Sequence, residues 1–264
     1  MSGLHRFTEI LRLFGEKESD WTVQEMSDRI GVPASTVYRT VRGLVDAGFL
    51  EPSREAHYRL GAAFVEFDRL IRLTDPLVKA GKGLLKEIAV HANIPCVAVL
   101  ARLYGDRVIC AADELGNGSS IRTSYEQGRP MPLVRGATSK TILAQLPTRR
   151  LNKLLSRVSI DTSDLSGPSA QRFREELSTI RKRGFCITRG EVDEGLVGIA
   201  VPIACPELAI VASLSLVVQA ATLTGDIEQR LVLLLVPAAG LLTEALRKQT
   251  VTEMPQAGAR QSTP

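Results

Sequence analysis

Arg39 and Arg42 stand one helical turn apart, with Ser35 a turn before them and Thr36 and Tyr38 alongside, in a stretch from Gly31 to Val45 that contains no acid. On a helix Ser35, Arg39 and Arg42 share one face. Arginine makes bidentate contacts to a guanine edge, and serine, threonine and tyrosine hydroxyls fix phosphates or read base atoms. The chemistry on offer is therefore recognition of a double-stranded DNA major groove. A second basic group, Arg54, His57 and Arg59, follows in a short hairpin and is expected to face the phosphate backbone.

The elements that would position these groups are legible from spacing. Val23, Met26 and Ile30 recur at three- and four-residue intervals, giving a helix with one apolar face. Gly31 supplies a left-handed stop, and Pro33 pre-sets φ for the next helix. In that second helix Val37, Val41 and Leu44 form the buried stripe, widened by Val45. Gly48-Phe49-Leu50 opens a strand, Pro52 to Ala56 make a turn, and His57 to Leu60 return with Tyr58 and Leu60 inward. Residues 4 to 14, with Phe7, Ile10, Leu11 and Phe14, read as a supporting helix. Residues 1–61 are thus expected to form a winged helix-turn-helix DNA-binding domain. Its summed charge is slightly negative, eight Lys and Arg against nine Asp and Glu, so local distribution rather than net charge carries the reading.

Ala62 to Leu73 reads as an amphipathic helix with Phe64, Phe67, Leu70 and Ile71 at helical spacing, making residues 62–75 a linker helix. Its stripe is expected to pair with the same helix of another subunit, the alternative being packing on its own chain. Beyond Pro76 the pattern is mixed. Helices are expected at 77–91, 137–145, 149–158, 169–183 and 226–248. Strands are expected at 96–103, 107–112, 120–125, 185–189, 196–204 and 208–218. This gives an α+β fold with a central antiparallel sheet over residues 76–250, and a disordered tail at 251–264.

Composition excludes several classes. With 264 residues, 44% hydrophobic, 23% charged and net charge +4, the chain is of ordinary globular type and large enough for two domains. Cys96, Cys110, Cys186 and Cys205 are scattered singly, so reduced cytosolic thiols are expected rather than a zinc site or disulfides, and a cytoplasmic location follows. The apolar run Leu231 to Leu242 is interrupted by Pro237 and reads as too short to span a membrane, and residues 1–20 lack signal-peptide character. Glycine-rich phosphate loops, H-E-x-x-H and G-x-S-x-G are absent, and His5, His57 and His91 are dispersed. No catalytic residue, metal or cofactor is expected, and an enzyme is the rival class. A protein-interaction module using the helix-turn-helix is a further alternative. Glu191, Asp193 and Glu194 form a dense acidic cluster that reads as a solvated loop between Gly190 and Gly195.

The winged segment ending Tyr58-Arg59-Leu60-Gly61, the helical linker, the run Pro132 to Ala144 and the run Arg189 to Pro202 together resemble the IclR family of bacterial transcriptional regulators. The resemblance implies a C-terminal GAF-like domain that binds a small organic acid effector, in homodimers that pair into homotetramers. It implies a pocket in which the Ala137 and Thr138 amides meet a carboxylate at a helix N-terminus, a suitable anion site. Met131 would supply an apolar wall. Thr188 and Gly198 fall where binders of the smallest acids have an acid and a cysteine; Ser215 matches a serine, and Val217 replaces another. Such a site is expected to be roomier and less polar, favouring an aromatic or alicyclic carboxylate. Arg122 and Arg135 are candidate anchors for the carboxylate. Val134 and Ser139 depart from the family's histidine and glycine.

Overall fold

The computed structural model describes residues 3–116, 118–157 and 168–252. By contacts between residues the chain divides into two compact units, 1–75 and 76–264.

The first unit is built from α1 (Gly3–Leu11), β1 (Trp21–Thr22), α2 (Val23–Ile30), α3 (Ala34–Asp46), β2 (Leu50–Pro52), β3 (His57–Leu60) and α4 (Ala63–Thr74). Thr22 caps α2: its hydroxyl accepts the Glu25 amide, while the Glu25 carboxylate accepts the Thr22 amide at 2.8 Å. This reciprocal arrangement satisfies two amides that a helix N-terminus leaves without partners. Gly31, at φ 65°, ends α2 in the left-handed region as expected. Ile10, Met26, Val37, Val41, Leu44 and Leu50 form the core beneath α3.

The strands pair antiparallel in the order β1-β3-β2. Gly61 crosses so close to Gly48 that a Cβ there would lie 2.3 Å from the Gly48 carbonyl oxygen, so only glycine fits. Tyr58 packs against the core, but Leu60 does not turn inward as expected; it is 43% exposed. Two residues advance a strand by about 7 Å, which carries Leu60 past the edge of this small core. On α4, Phe64 and Phe67 pack on the ring of Phe49 at centroid distances of 5.6 and 5.9 Å. Leu70, Ile71 and Leu73 are exposed.

The second unit contains α5 (Pro76–His91), β4 (Cys96–Tyr104), β5 (Arg107–Leu115), β6 (Pro130–Met131), α6 (Ala137–Ala144), α7 (Thr148–Leu155), α8 (Pro168–Arg183), β7 (Cys186–Arg189), β8 (Leu196–Cys205), β9 (Ile210–Gln219) and α9 (Gly225–Thr252). The strands form one antiparallel sheet in the order β6-β5-β4-β9-β8-β7. Strands β4, β8 and β9 are buried on both faces, which is why they read as nearly continuous apolar runs. Ala98, Leu100, Ile199, Leu214 and Leu216 face α5 and α9; Val97, Val99, Ala200 and Val217 belong to a second core with Ala137, Ile142 and Leu143 of α6.

Four expectations need correction. Residues 120–125 form a loop rather than a strand, because the hydrogen-bonding edge of β5 is taken by 128–131: Gly128 donates to the Cys110 carbonyl, and Val108 pairs with Met131. Pro237 does not interrupt the C-terminal helix, which runs through it and is long and apolar enough, by length and composition, to cross a membrane. Its Leu231, Leu235, Leu242 and Leu246 pack in the core instead of ending a short run. Residues 251 and 252 are the last of α9, not the start of a tail, since the helix continues to Thr252. Residues 253–264 of the expected tail and Val158 of an expected helix lie outside the described residues.

Candidate nucleic-acid interface and anion pocket

On α3 the apolar stripe Val37, Val41 and Leu44 is buried, so the opposite side must face water. Ser35, Tyr38, Arg39 and Arg42 are exposed there and Thr36 is half-buried. Thr40, not singled out from sequence, is buried and its hydroxyl donates to the Thr36 carbonyl at 3.0 Å. In the wing, Arg54 and Arg59 are exposed, and His57 is half-buried with Nδ1 3.1 Å from the carbonyls of Arg54 and Glu55. Arg59 Nε donates to Glu51 Oε1 at 2.7 Å, so this guanidinium already holds a carboxylate on the neighbouring strand.

In the second unit one row runs across three strands: Thr188 pairs with Gly198, and Gly198 with Val217. Ser215 pairs with Ala200 in the parallel row two residues on, so all four positions lie on the face of the sheet that α6 covers. The Ala137 amide, first of α6, donates to Thr188 Oγ1 at 2.9 Å. The hydroxyls of Thr138 and Ser215 lie 3.0 Å apart. Met131 and Val217 belong to the same apolar core as Ala137. Arg122 is exposed on its loop and is not in this buried group, while Arg135 donates from Nε and Nη2 to the Glu191 carbonyl.

The missing side chain at position 198 has not left a wide space. A Cβ at Gly198 would sit 3.4 Å from the Ala137 Cβ and 3.6 Å from Thr188 Oγ1, so α6 and Thr188 close over it. The buried tyrosine Tyr125 lies above, its hydroxyl 2.7 Å from where a Cβ on Gly136 would stand. Burial pushes the Tyr125 phenol up to about 12, against the opposing pull of the Thr138 hydroxyl.

The acidic cluster departs from its expected role as a solvated loop. Glu191 accepts the Gly136 amide through Oε2 at 2.8 Å and the Lys140 ammonium through Oε1 at 2.7 Å. Asp193 accepts Thr123 Oγ1 at 2.8 Å, the Ser124 amide at 2.9 Å and Ser124 Oγ at 2.6 Å. These carboxylates tie the loop before α6, and the loop carrying Tyr125, to the turn between β7 and β8. Lys140 is 8% exposed and also pairs with Glu176. Burial would lower its pKa, but hydrogen bonds and charge from Glu176 and Glu191 outweigh that and raise it. Partners this far apart in sequence leave no local signal; the only hint was the density of acids in one short turn. Among the described residues no group of His, Cys, Asp and Glu is arranged to hold a metal ion.

Two family models match the chain. The IclR helix-turn-helix domain matches residues 3–54, and the bacterial transcriptional regulator IclR C-terminal domain matches residues 76–242. The chain belongs to the IclR family. It is therefore a transcriptional regulator with a helix-turn-helix domain and a C-terminal ligand-binding domain. Its IclR-family relatives include the HTH-type transcriptional regulator KipR of Bacillus subtilis, 24% identical over 82% of this chain and 86% of that protein. An IclR family transcriptional regulator from Brucella abortus has the same fold, with TM-score 0.79 at 19% identity over 93% of this chain and 92% of the other. So does an IclR homolog from Microbacterium hydrocarbonoxydans solved in complex with 4-hydroxybenzoate, with TM-score 0.72 at 20% identity over 94% of this chain and all (100%) of the other.

Proposed function

We propose that this IclR-family chain binds a double-stranded operator through α3 and the wing, with an affinity set by a small aromatic carboxylate held at the start of α6. The observation that carries the reading is the Ala137 amide, which meets a neutral hydroxyl, Thr188 Oγ1, above an apolar floor that includes Val217. An amide at a helix N-terminus favours an anion over a hydroxyl. A carboxylate entering there would take the Ala137 amide from Thr188 while its ring lies against Val217 and Met131. The 4-hydroxybenzoate complex of the Microbacterium homolog supports an acid of this shape. Ser35, Thr36, Tyr38, Arg39 and Arg42 would read the groove, and Arg54, His57 and Arg59 would hold phosphates. The exposed residues Leu70 and Ile71 of α4 support pairing of two chains, which would present two reading helices to one operator.

Calorimetric titration with 4-hydroxybenzoate, benzoate, pyruvate and glyoxylate tests the pocket: the aromatic acids should bind and the two small acids should not. Tighter binding of pyruvate or glyoxylate would overturn the ligand class. Gel shifts on the promoter regions adjoining the gene test the interface. Arg39→Ala and Arg42→Ala should each weaken operator binding by about 1 to 3 kcal/mol if the contact is to a base edge, with the fold intact by circular dichroism. Wild-type affinity in both variants would remove the assigned face.

A further inference from the structure

The start of α6 already holds an anion of the chain's own. Glu191, in the turn between β7 and β8, sets its carboxylate on the Gly136 amide through Oε2 at 2.8 Å and on the Lys140 ammonium through Oε1 at 2.7 Å. Its main-chain carbonyl accepts Nε and Nη2 of Arg135 at 3.0 and 2.6 Å. A helix start leaves its first amides without partners in the helix and gathers partial positive charge. At α6 the Gly136 amide meets a carboxylate and the Ala137 amide meets the uncharged Thr188 Oγ1. Thr138 and Ser139 are buried, and among the described residues their amides have no acceptor. Glu191 is thus the one charged acceptor at this helix end among the described residues.

The carboxylate is held close without being sealed in. A Cβ on Gly136 would stand 2.7 Å from the Tyr125 hydroxyl and 2.7 Å from a Val192 methyl, so glycine is what lets the turn carrying Glu191 approach the helix. The Glu191 side chain is 31% exposed, against 8% for Lys140. Lys140 also bonds Glu176 at 2.7 Å and so keeps a counter-ion if the charge of Glu191 is removed. Given the effector's placement at the start of α6, on which this inference rests, we propose that Glu191 sets the affinity of the site: its carboxylate is a standing rival for the positive end of α6, against which every acid binds. Two carboxylates in one partly buried site repel each other. The repulsion acts on an acid and not on an uncharged molecule of the same shape. The rival therefore raises the concentration of acid at which the site fills, while the open amides of Thr138 and Ser139 leave donors for the incoming group.

Calorimetry on the full-length protein with 4-hydroxybenzoate and its uncharged counterpart 4-hydroxybenzamide tests it. Glu191→Gln keeps an oxygen for the Gly136 amide and removes the charge. It should tighten 4-hydroxybenzoate by about tenfold and leave 4-hydroxybenzamide as in the wild type. A residue that only braces the turn would instead weaken both compounds when changed. Glu176→Gln removes the other partner of Lys140, which bonds none of these amides, and should shift the acid by less than about threefold. Glu191→Ala, a second removal of the charge, should also tighten the acid, with a lower melting temperature; thermal melting establishes that each variant is folded. Wild-type or weaker affinity for 4-hydroxybenzoate in both Glu191 variants would overturn the proposal. So would equal tightening of the acid and the amide, or a Glu176→Gln effect as large as that of Glu191→Gln. If neither 4-hydroxybenzoate nor benzoate binds the wild type or any variant, the effector's placement falls and the proposal falls with it. Binding to the wild type that Glu191→Gln leaves unchanged strikes the proposal alone.

Discussion

Thr188→Val keeps the outline of the side chain and removes the oxygen to which the buried Ala137 amide donates. An amide left without an acceptor costs about 1 to 3 kcal/mol, so the ligand-free protein should melt at a lower temperature. The same change removes the internal competitor for that amide. Affinity for an aromatic carboxylate should therefore rise while stability falls, and calorimetry beside thermal melting reads both. Asp193 offers a pH-dependent test. Burial alone would raise its pKa, but the hydrogen bonds from Ser124 and Thr123, aided by the charge of Arg129, outweigh it and hold the carboxyl below the ordinary 3.8. The stability it lends is therefore complete above that ordinary value and is lost as pH falls through the lowered one. Asp193→Asn should flatten this acid limb, seen as protection of the 120–125 loop from proteolysis that no longer changes below pH about 4.

At the scale of elements, the wing carries a restraint on its own basic charge. Glu51 holds Arg59 at 2.7 Å across the pair of strands, although both side chains are exposed, so the pairing is weak and open to competition from phosphate. Glu51→Gln should release Arg59 and strengthen binding to all DNA sequences alike, with a steeper salt dependence by about one unit; filter binding over a salt series measures it. The helices α2 and α3 were readable because their signals are local: Val37, Val41 and Leu44 recur at helical spacing, and Gly31 marks the turn. The capping pair Thr22 and Glu25 was not read from the sequence, although its signal is equally local, a T-x-x-E at the start of α2. The loop at 120–125 was not readable, since Ile121, Thr123 and Tyr125 alternate as in a strand and only competition for the β5 edge decides otherwise. The clamps made by Glu191 and Asp193 depend on partners brought near by the sheet. Pro237 misled because its ring lies on the exposed side of a helix whose opposite side is fixed by the core.

For the whole molecule, the reading requires that two chains act together. Phe67→Glu places a charge in the stripe of α4, where Phe67 is 49% exposed and stacks on Phe49. It should lower both the mass in sedimentation and the operator affinity, while a single half-site on short DNA is still bound. Unaltered mass would remove α4 from the assembly. If the acid and the operator are linked, each must alter the other's affinity by the same factor, so calorimetry of the acid with and without operator DNA checks the gel-shift result. Measuring how far apart the two reading helices stand, with and without acid, would supply the missing geometric quantity. The chain is well suited to it. Its four cysteines are free and buried, and burial pushes the thiols of Cys96 up to about 11 and of Cys110 and Cys186 up to about 12. Alkylating reagents attack the thiolate, which these residues scarcely form near neutrality. A cysteine introduced at exposed Glu55 in the wing turn would then be the fast-reacting thiol of each chain. A spin label attached there would report the separation of the two wings directly, with the natural cysteines left in place.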